Sequence, residues 1–231
     1  RPRFRKLAAE TNADCSEPLL SPDGRWLAYQ RVARTDDDGL YVRRVDGSGT
    51  PRRIVKPESE YVGYWATGWS ANGRELLVVR GSKGKQDLLL LPFNANSDQP
   101  GELVELHAGP SDEFAASFSP RGGHIAFETD ESGHHEVYIS TYSSDGATGL
   151  PIAVSDGEGH RPLWSPDGSR LYFLSSQRGL LAIDVSYQPS LTFSEPKVIL
   201  EQETTDLFQQ RFEILSGDRV LIVRRGELEG E

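Results

Sequence analysis

An all-β fold assembled from repeated four-stranded units is predicted by three observations. A short turn sequence recurs about every 49 residues, each repeat carries four strand-sized apolar segments, and no stretch of the 231 residues sustains a 3.6-residue period. The first copy reads Ser21-Pro22-Asp23-Gly24-Arg25-Trp26-Leu27-Ala28-Tyr29, and Ser70-Ala71-Asn72-Gly73-Arg74-Glu75-Leu76-Leu77-Val78 follows it. Ser119-Pro120-Arg121-Gly122-Gly123-His124-Ile125-Ala126-Phe127 and Ser165-Pro166-Asp167-Gly168-Ser169-Arg170-Leu171-Tyr172-Phe173 continue the series. A shortened fifth copy is Ser216-Gly217-Asp218-Arg219-Val220-Leu221-Ile222-Val223. The serines lie 49, 49, 46 and 51 residues apart. Four short strands at this period are the sequence signature of propeller blades.

The chemistry of each copy accounts for a tight turn between antiparallel strands. Proline pre-sets φ at the second position, Asp or Asn suits the third, and glycine accepts the left-handed conformation that follows. The residue before each serine is large and apolar: Leu20, Trp69, Phe118, Trp164 and Leu215. Trp69, Phe118 and Trp164 are expected to pack between blades. A third strand is read at Leu40-Tyr41-Val42, Leu88 to Leu91, Val137-Tyr138-Ile139 and Leu180 to Ile183. A fourth is read at Arg53-Ile54-Val55, Leu103 to Leu106, Pro151 to Val154 and Lys197 to Leu200. Arg5 to Ala8 reads as the outer strand of a preceding blade. The whole chain, 1–231, is therefore expected to be one propeller or a fragment of one, with turns at 21–24, 70–73, 119–122, 165–168 and 216–218. Five blades and part of six both fit.

Composition narrows the function. The net charge is −10 and no Lys/Arg cluster forms a coherent basic face, which argues against nucleic acid. No apolar run approaches the roughly 18 residues of a membrane span, so no insertion by this segment is expected. Cys15 is the only cysteine, and the basic start without an initiator methionine suggests a chain cut from a longer protein.

The SPDGRWLAY and WSPDGSRLYF segments resemble the Pro-Asp-type, WD-like repeat of TolB and its relatives. Phe118-Ser119-Pro120, Asp130 to Tyr138 and Leu180 to Val185 look like the C-terminal propellers of certain bacterial serine/threonine kinases. Tyr41 to Gly47 resembles the propellers of membrane-bound winged-helix regulators. The resemblance implies an extracytoplasmic (periplasmic) sensor or interaction domain of a membrane-anchored bacterial protein. It is specific for fold and says little about the ligand, because function rides on the loops.

Catalytic motifs are absent from the sequence. Gly68-Trp69-Ser70-Ala71-Asn72 lacks the last glycine of a nucleophile elbow, and His134-His135-Glu136 lacks the second helical histidine of a zinc protease. Gly81-Ser82-Lys83-Gly84-Lys85 has the wrong length for a phosphate loop. His134 and His135, with Asp130, Glu131 and Glu136, form the densest group of potential metal ligands. Neighbours in a strand point to opposite faces, however, so the two histidines do not readily share an ion. Asp36-Asp37-Asp38 lacks the alternating spacing of a calcium loop. No cofactor and no metal are expected.

In a four-stranded blade the loops from strand two to three and from strand four to the next blade share a face. That face is expected to carry Asp36, Glu60, Asp112, Glu113 and Asp130 among its carboxylates. Tyr61, Tyr64, Phe114, His134, His160, Arg161 and Phe208 are interleaved with them. Acidic residues among exposed aromatics suit a protein or peptide partner of basic character. Phe114 and Tyr64 are the expected apolar anchors. The expected function is therefore a non-catalytic binding or sensor domain, recognising a protein, peptide or small ligand. The alternatives are the substrate-gating propeller of a prolyl-oligopeptidase-type serine peptidase and a metal-dependent propeller lyase.

Overall fold

A computed structural model describes residues 13–82, 84–97, 101–201, 211–215, 217 and 219–223, and every regular element among them is a strand. The first blade comprises β1 (Asp14–Leu20), β2 (Trp26–Val32), β3 (Gly39–Arg44) and β4 (Arg52–Val55), hydrogen-bonded in chain order. The second comprises β5 (Val62–Trp69), β6 (Glu75–Ser82), β7 (Lys85–Pro92) and β8 (Val104–His107). The third comprises β9 (Glu113–Phe118), β10 (His124–Thr129), β11 (Glu136–Thr141) and the short β12 (Ile152–Ala153). The fourth runs through β13 (His160–Trp164), β14 (Arg170–Ser175) and β15 (Gly179–Ser186). There β15 pairs with β16 (Thr192–Phe193) near one end and with β17 (Lys197–Leu200) along the rest. β18 (Arg211–Leu215) and β19 (Arg219–Val223) begin a fifth. The strand expected at residues 5–8 and the residues Ser216 and Asp218 of the last turn lie outside the described residues. No described helix is long and apolar enough to cross a membrane.

The strand sequences are apolar on both sides because each blade is buried on both faces. Along β6, Leu76 and Val78 pack towards the first blade while Leu77 and Val79 pack towards the third. Along β14, Leu171 and Phe173 face the third blade, and Tyr172 and Leu174 face Phe212 of the last pair. This is the period-two alternation of a strand with apolar contacts on each side. The expected core residues Trp69, Phe118 and Trp164 are buried at these joints. The two tryptophans do the same thing two joints apart. Trp69 Nε1 donates to the Leu19 carbonyl and Trp164 Nε1 to the Ser117 carbonyl, both at 3.3 Å across a blade boundary. Leu20, at the equivalent place in the first described blade, is 53% exposed.

The serine turns repeat atom for atom. Ser21 Oγ donates to Asp23 Oδ1 at 2.6 Å and accepts the Trp26 amide at 2.9 Å. Ser70 with Asn72 and Glu75, and Ser165 with Asp167 and Arg170, reproduce both bonds. Gly24, Gly73 and Gly168 each take a φ of 68–69°, which closes the turn without a Cβ clash. The third copy has Arg121 where the others have Asp or Asn, and the difference is made good from the next blade. The Tyr187 hydroxyl donates to the Gly168 carbonyl at 3.0 Å, so the Ser119 hydroxyl donates to Tyr187 at 2.9 Å. Arg121 Nε reaches the Asp167 carbonyl at 2.7 Å.

Candidate functional site

The first strands of successive units stand beside one another, β1 next to β5, β5 next to β9, and β9 next to β13. Together with β18 they enclose a cavity of about 540 Å³, lined by residues such as Glu17, Thr67, Phe114, His160, Arg161 and Glu213. The lining is irregular because the inner strands are. The pairing register of β1, β5 and β13 shifts at Glu17–Pro18, at Thr67 and at Arg161–Pro162. Glu17 and Arg161 hold positive φ values of 49° and 53°, an arrangement that costs a non-glycine residue roughly 1–2 kcal/mol. Bulges of this kind re-aim side chains, here at the mouth of the channel.

At that mouth the third and fourth blades bring three side chains onto one point. Glu128, near the end of β10, is buried, and its Oε1 lies 2.9 Å from His135 Nδ1 and 2.9 Å from His160 Nδ1. Its Oε2 accepts the Arg161 amide at 3.0 Å, which is the N–H that the left-handed backbone there turns inwards. Behind His160, Nε2 lies 3.3 Å from Glu158 Oε1. Glu158 Oε2 in turn accepts the Ser175 hydroxyl at 2.9 Å and the Ser176 amide at 3.0 Å. Burial works to lower the His160 pKa, but the hydrogen bonds and charges of Glu128 and Glu158 outweigh it and hold it above the ordinary value. Burial works to raise the Glu158 pKa, and the bonds from Ser176, Ser175 and His160 hold it below. The rings of His135 and His160 lie 5.1 Å apart, and Phe114 packs on His135 at 4.7 Å. Two histidine nitrogens and a carboxylate oxygen within 4.8 Å of one another are a donor set able to hold a divalent ion.

The residues read from the sequence fall into separate places. Phe114, His160 and Arg161 line the channel. Asp36, Glu60 and Tyr61 line a second hollow of about 680 Å³, formed by the loops after β2 and β4. Tyr61 is 66% exposed there, and Asp36 pairs with Lys56 at 3.7 Å. Asp112 and Asp130 tie loops together. Asp130 Oδ1 accepts the Asp112 amide at 2.8 Å, and Asp112 Oδ1 accepts the Gln86 amide at 2.7 Å. His134 is exposed in the turn before β11 and belongs to no cluster. Phe208 lies outside the described residues.

Two expectations are corrected. Tyr64 is 1% exposed and cannot anchor a partner. β5 already begins at Val62, so Tyr64 falls on an inward position, and its hydroxyl donates to Glu58 at 2.6 Å. Glu113, the first residue of β9, is 4% exposed rather than part of an acidic rim. Burial, followed by the negative charge of Asp87, pushes its pKa up to about 8, and its Oε2 has no hydrogen-bond partner. The sequence reading missed Glu128 altogether and set His135 beside His134 instead of His160. One signal was available: Glu128 directly follows the apolar run Ile125-Ala126-Phe127 and precedes the end of the strand.

The comparisons agree with this architecture. The TolB beta propeller domain family matches residues 4–201. No curated protein matches the chain. Among solved structures, a putative TolB from Agrobacterium tumefaciens superposes with a TM-score of 0.57 at 18% identity, over 80% of this chain and 66% of that one. TolB from Acinetobacter baumannii gives 0.55 at 16%, over 80% and 44%. A puromycin-hydrolyzing peptidase of Mycobacterium tuberculosis gives 0.58 at 17%, over 91% and 43%. The chain thus spans just under two thirds of the first structure and less than half of the other two, and at these identities the likeness is one of fold. The match over residues 4–201 and the blade architecture together establish that the chain belongs to the TolB beta propeller domain family.

Proposed function

We propose that the chain is a non-catalytic binding domain of a larger, membrane-anchored bacterial protein, placed outside the cytoplasm, where it recognises a protein or peptide partner of basic character. The observation that carries this reading is the clustering of features at one end of the blades. The channel mouth, with Phe114 and Arg161, and the neighbouring hollow, with Asp36, Glu60 and Tyr61, both belong to the end opposite the serine turns. Exposed carboxylates beside an exposed tyrosine suit a basic partner. The test is a photo-crosslinking side chain placed at Tyr61 or, on the turn face, at Ala71, in the full-length parent protein. Crosslinks to a partner from position 61 and not from 71 support the reading; the reverse pattern overturns it.

The similarity to the puromycin-hydrolyzing peptidase favours a second reading, in which the blades gate a separate hydrolase domain. The full parent sequence decides between them. A kinase or winged-helix domain with a membrane span upstream supports sensing, whereas a G-x-S-x-G domain downstream supports gating.

A further inference from the structure

We infer that Glu128, His135 and His160 form a binding site for a divalent transition-metal ion of the zinc type at the channel mouth, with a coordination position left open towards the cavity. The three donors come from two blades. Glu128 lies one residue before the end of β10, His135 directly precedes β11, and His160 opens β13 in the next blade. Their convergence is thus a property of the fold, not of a local loop. Oε1 of Glu128 lies 2.9 Å from each Nδ1, and all three atoms lie within 4.8 Å of one another. Donors about 2.0–2.2 Å from one tetrahedral ion lie roughly 3.3–3.6 Å apart, so the two rings need only draw back slightly from Glu128 to admit it, and two imidazoles with one carboxylate suit zinc and its neighbours better than magnesium or calcium, which take oxygen ligands.

The surroundings supply an independent reason. His160 presents both ring nitrogens to carboxylates, Nδ1 to Glu128 and Nε2 to Glu158. Glu158 thereby fixes the ring with Nδ1 turned towards Glu128 Oε1. A ligating histidine backed by a carboxylate on its second nitrogen is the usual outer support of a metal site, and Glu158 is itself fixed by Ser175 and Ser176. The Arg161 amide occupies Oε2 of Glu128 and leaves Oε1 for the ion. Three protein donors leave the fourth tetrahedral position to water or to a donor atom of whatever enters the cavity.

The experiment is calorimetric titration of the metal-stripped chain with Zn²⁺, together with the visible spectrum on adding Co²⁺. One equivalent is expected to bind, with the absorption bands of a low-coordinate nitrogen–oxygen site. His135→Ala and His160→Ala should each weaken binding by at least about tenfold, and Glu158→Gln by roughly 10–100-fold, with circular dichroism unchanged. His135 is half-exposed, so its variant is the one that keeps the fold if a buried substitution does not. His134→Ala, one residue away, and His124→Ala, beside a serine turn, should bind as the parent does. Two results would overturn the assignment. One is no binding by the stripped chain, in which case His160 is a doubly protonated ring between two carboxylates. The other is affinity that survives loss of His135 and His160 together but falls with His134 or His124.

Discussion

Asp167 and Glu113 are both carboxylates, and they lie at opposite ends of the blades. On the turn face Asp167 accepts the Ser169 amide and the Ser165 and Ser169 hydroxyls, which lower its pKa to about 2. At the channel end Glu113 is buried without a partner for one oxygen, and its pKa rises to about 8. In the turns at Ser21, Ser70 and Ser165 the serine hydroxyl finds both partners within five residues, so the same turn can be written into successive repeats, and the turn at Ser119 draws on the next blade instead. The channel end adds polar contacts between blades, Glu128 with His160 and with the Arg161 amide, and two left-handed residues and register shifts along the inner strands. The turns hold the scaffold together, whereas the channel end carries what distinguishes this propeller from a regular array.

The largest expected effect lies at the blade joints. Trp164→Ala should cost roughly 3–5 kcal/mol in chemical denaturation, because it opens a cavity at the joint and removes the bond to Ser117. Leu20→Ala, at the equivalent but exposed place, should cost less than about 1 kcal/mol. Equal losses at the two positions would erase the distinction between joint and edge.

Next in size is the pH response of Glu113. Its folded pKa of about 8 lies above the ordinary 4.5, so the folded protein keeps a proton that the unfolded chain releases between those values. Stability contributed by this group is full below pH 4.5, falls as pH rises and levels off above about 8. Glu113→Gln should flatten that part of the stability–pH profile and gain on the order of 3 kcal/mol at pH 7. An unchanged slope would mean that Glu113 ionises freely. Smaller still is the turn itself. Ser165→Ala leaves the Arg170 amide without its acceptor and should cost ~1–2 kcal/mol, measured in the same way.

These cases also mark what a single sequence reveals. The turns were legible because their chemistry is local and returns in the next repeat, and the buried Trp69 and Trp164 because each directly precedes a turn serine. Tyr64 was misplaced because strand β5 starts directly after Tyr61, at Val62, and a strand's alternation then sends Tyr64 inwards. Glu113 was misread for a similar reason, since the boundary between loop and strand decides its burial. The approach of Glu128 to His160 spans 32 residues and a blade boundary, so no local pattern encodes it. The kinase and regulator likenesses read in the sequence bear on the parent protein and remain part of the proposed function.

The proposed function requires that the channel end, not the turn face, meet a basic partner. The most direct measurement is the association rate constant of a lysine-rich probe peptide at low salt and at about 0.15 M, where screening sets in near 8 Å. Asp36→Lys with Glu60→Lys reverses two charges at the channel end. Asp46→Lys with Asp145→Lys makes the same change in net charge in the loops beside the serine turns. The first pair is expected to slow association several-fold at low salt, salt to narrow the gap, and the second pair to have little effect. Equal slowing by both pairs, or slowing by the turn-face pair alone, would contradict it.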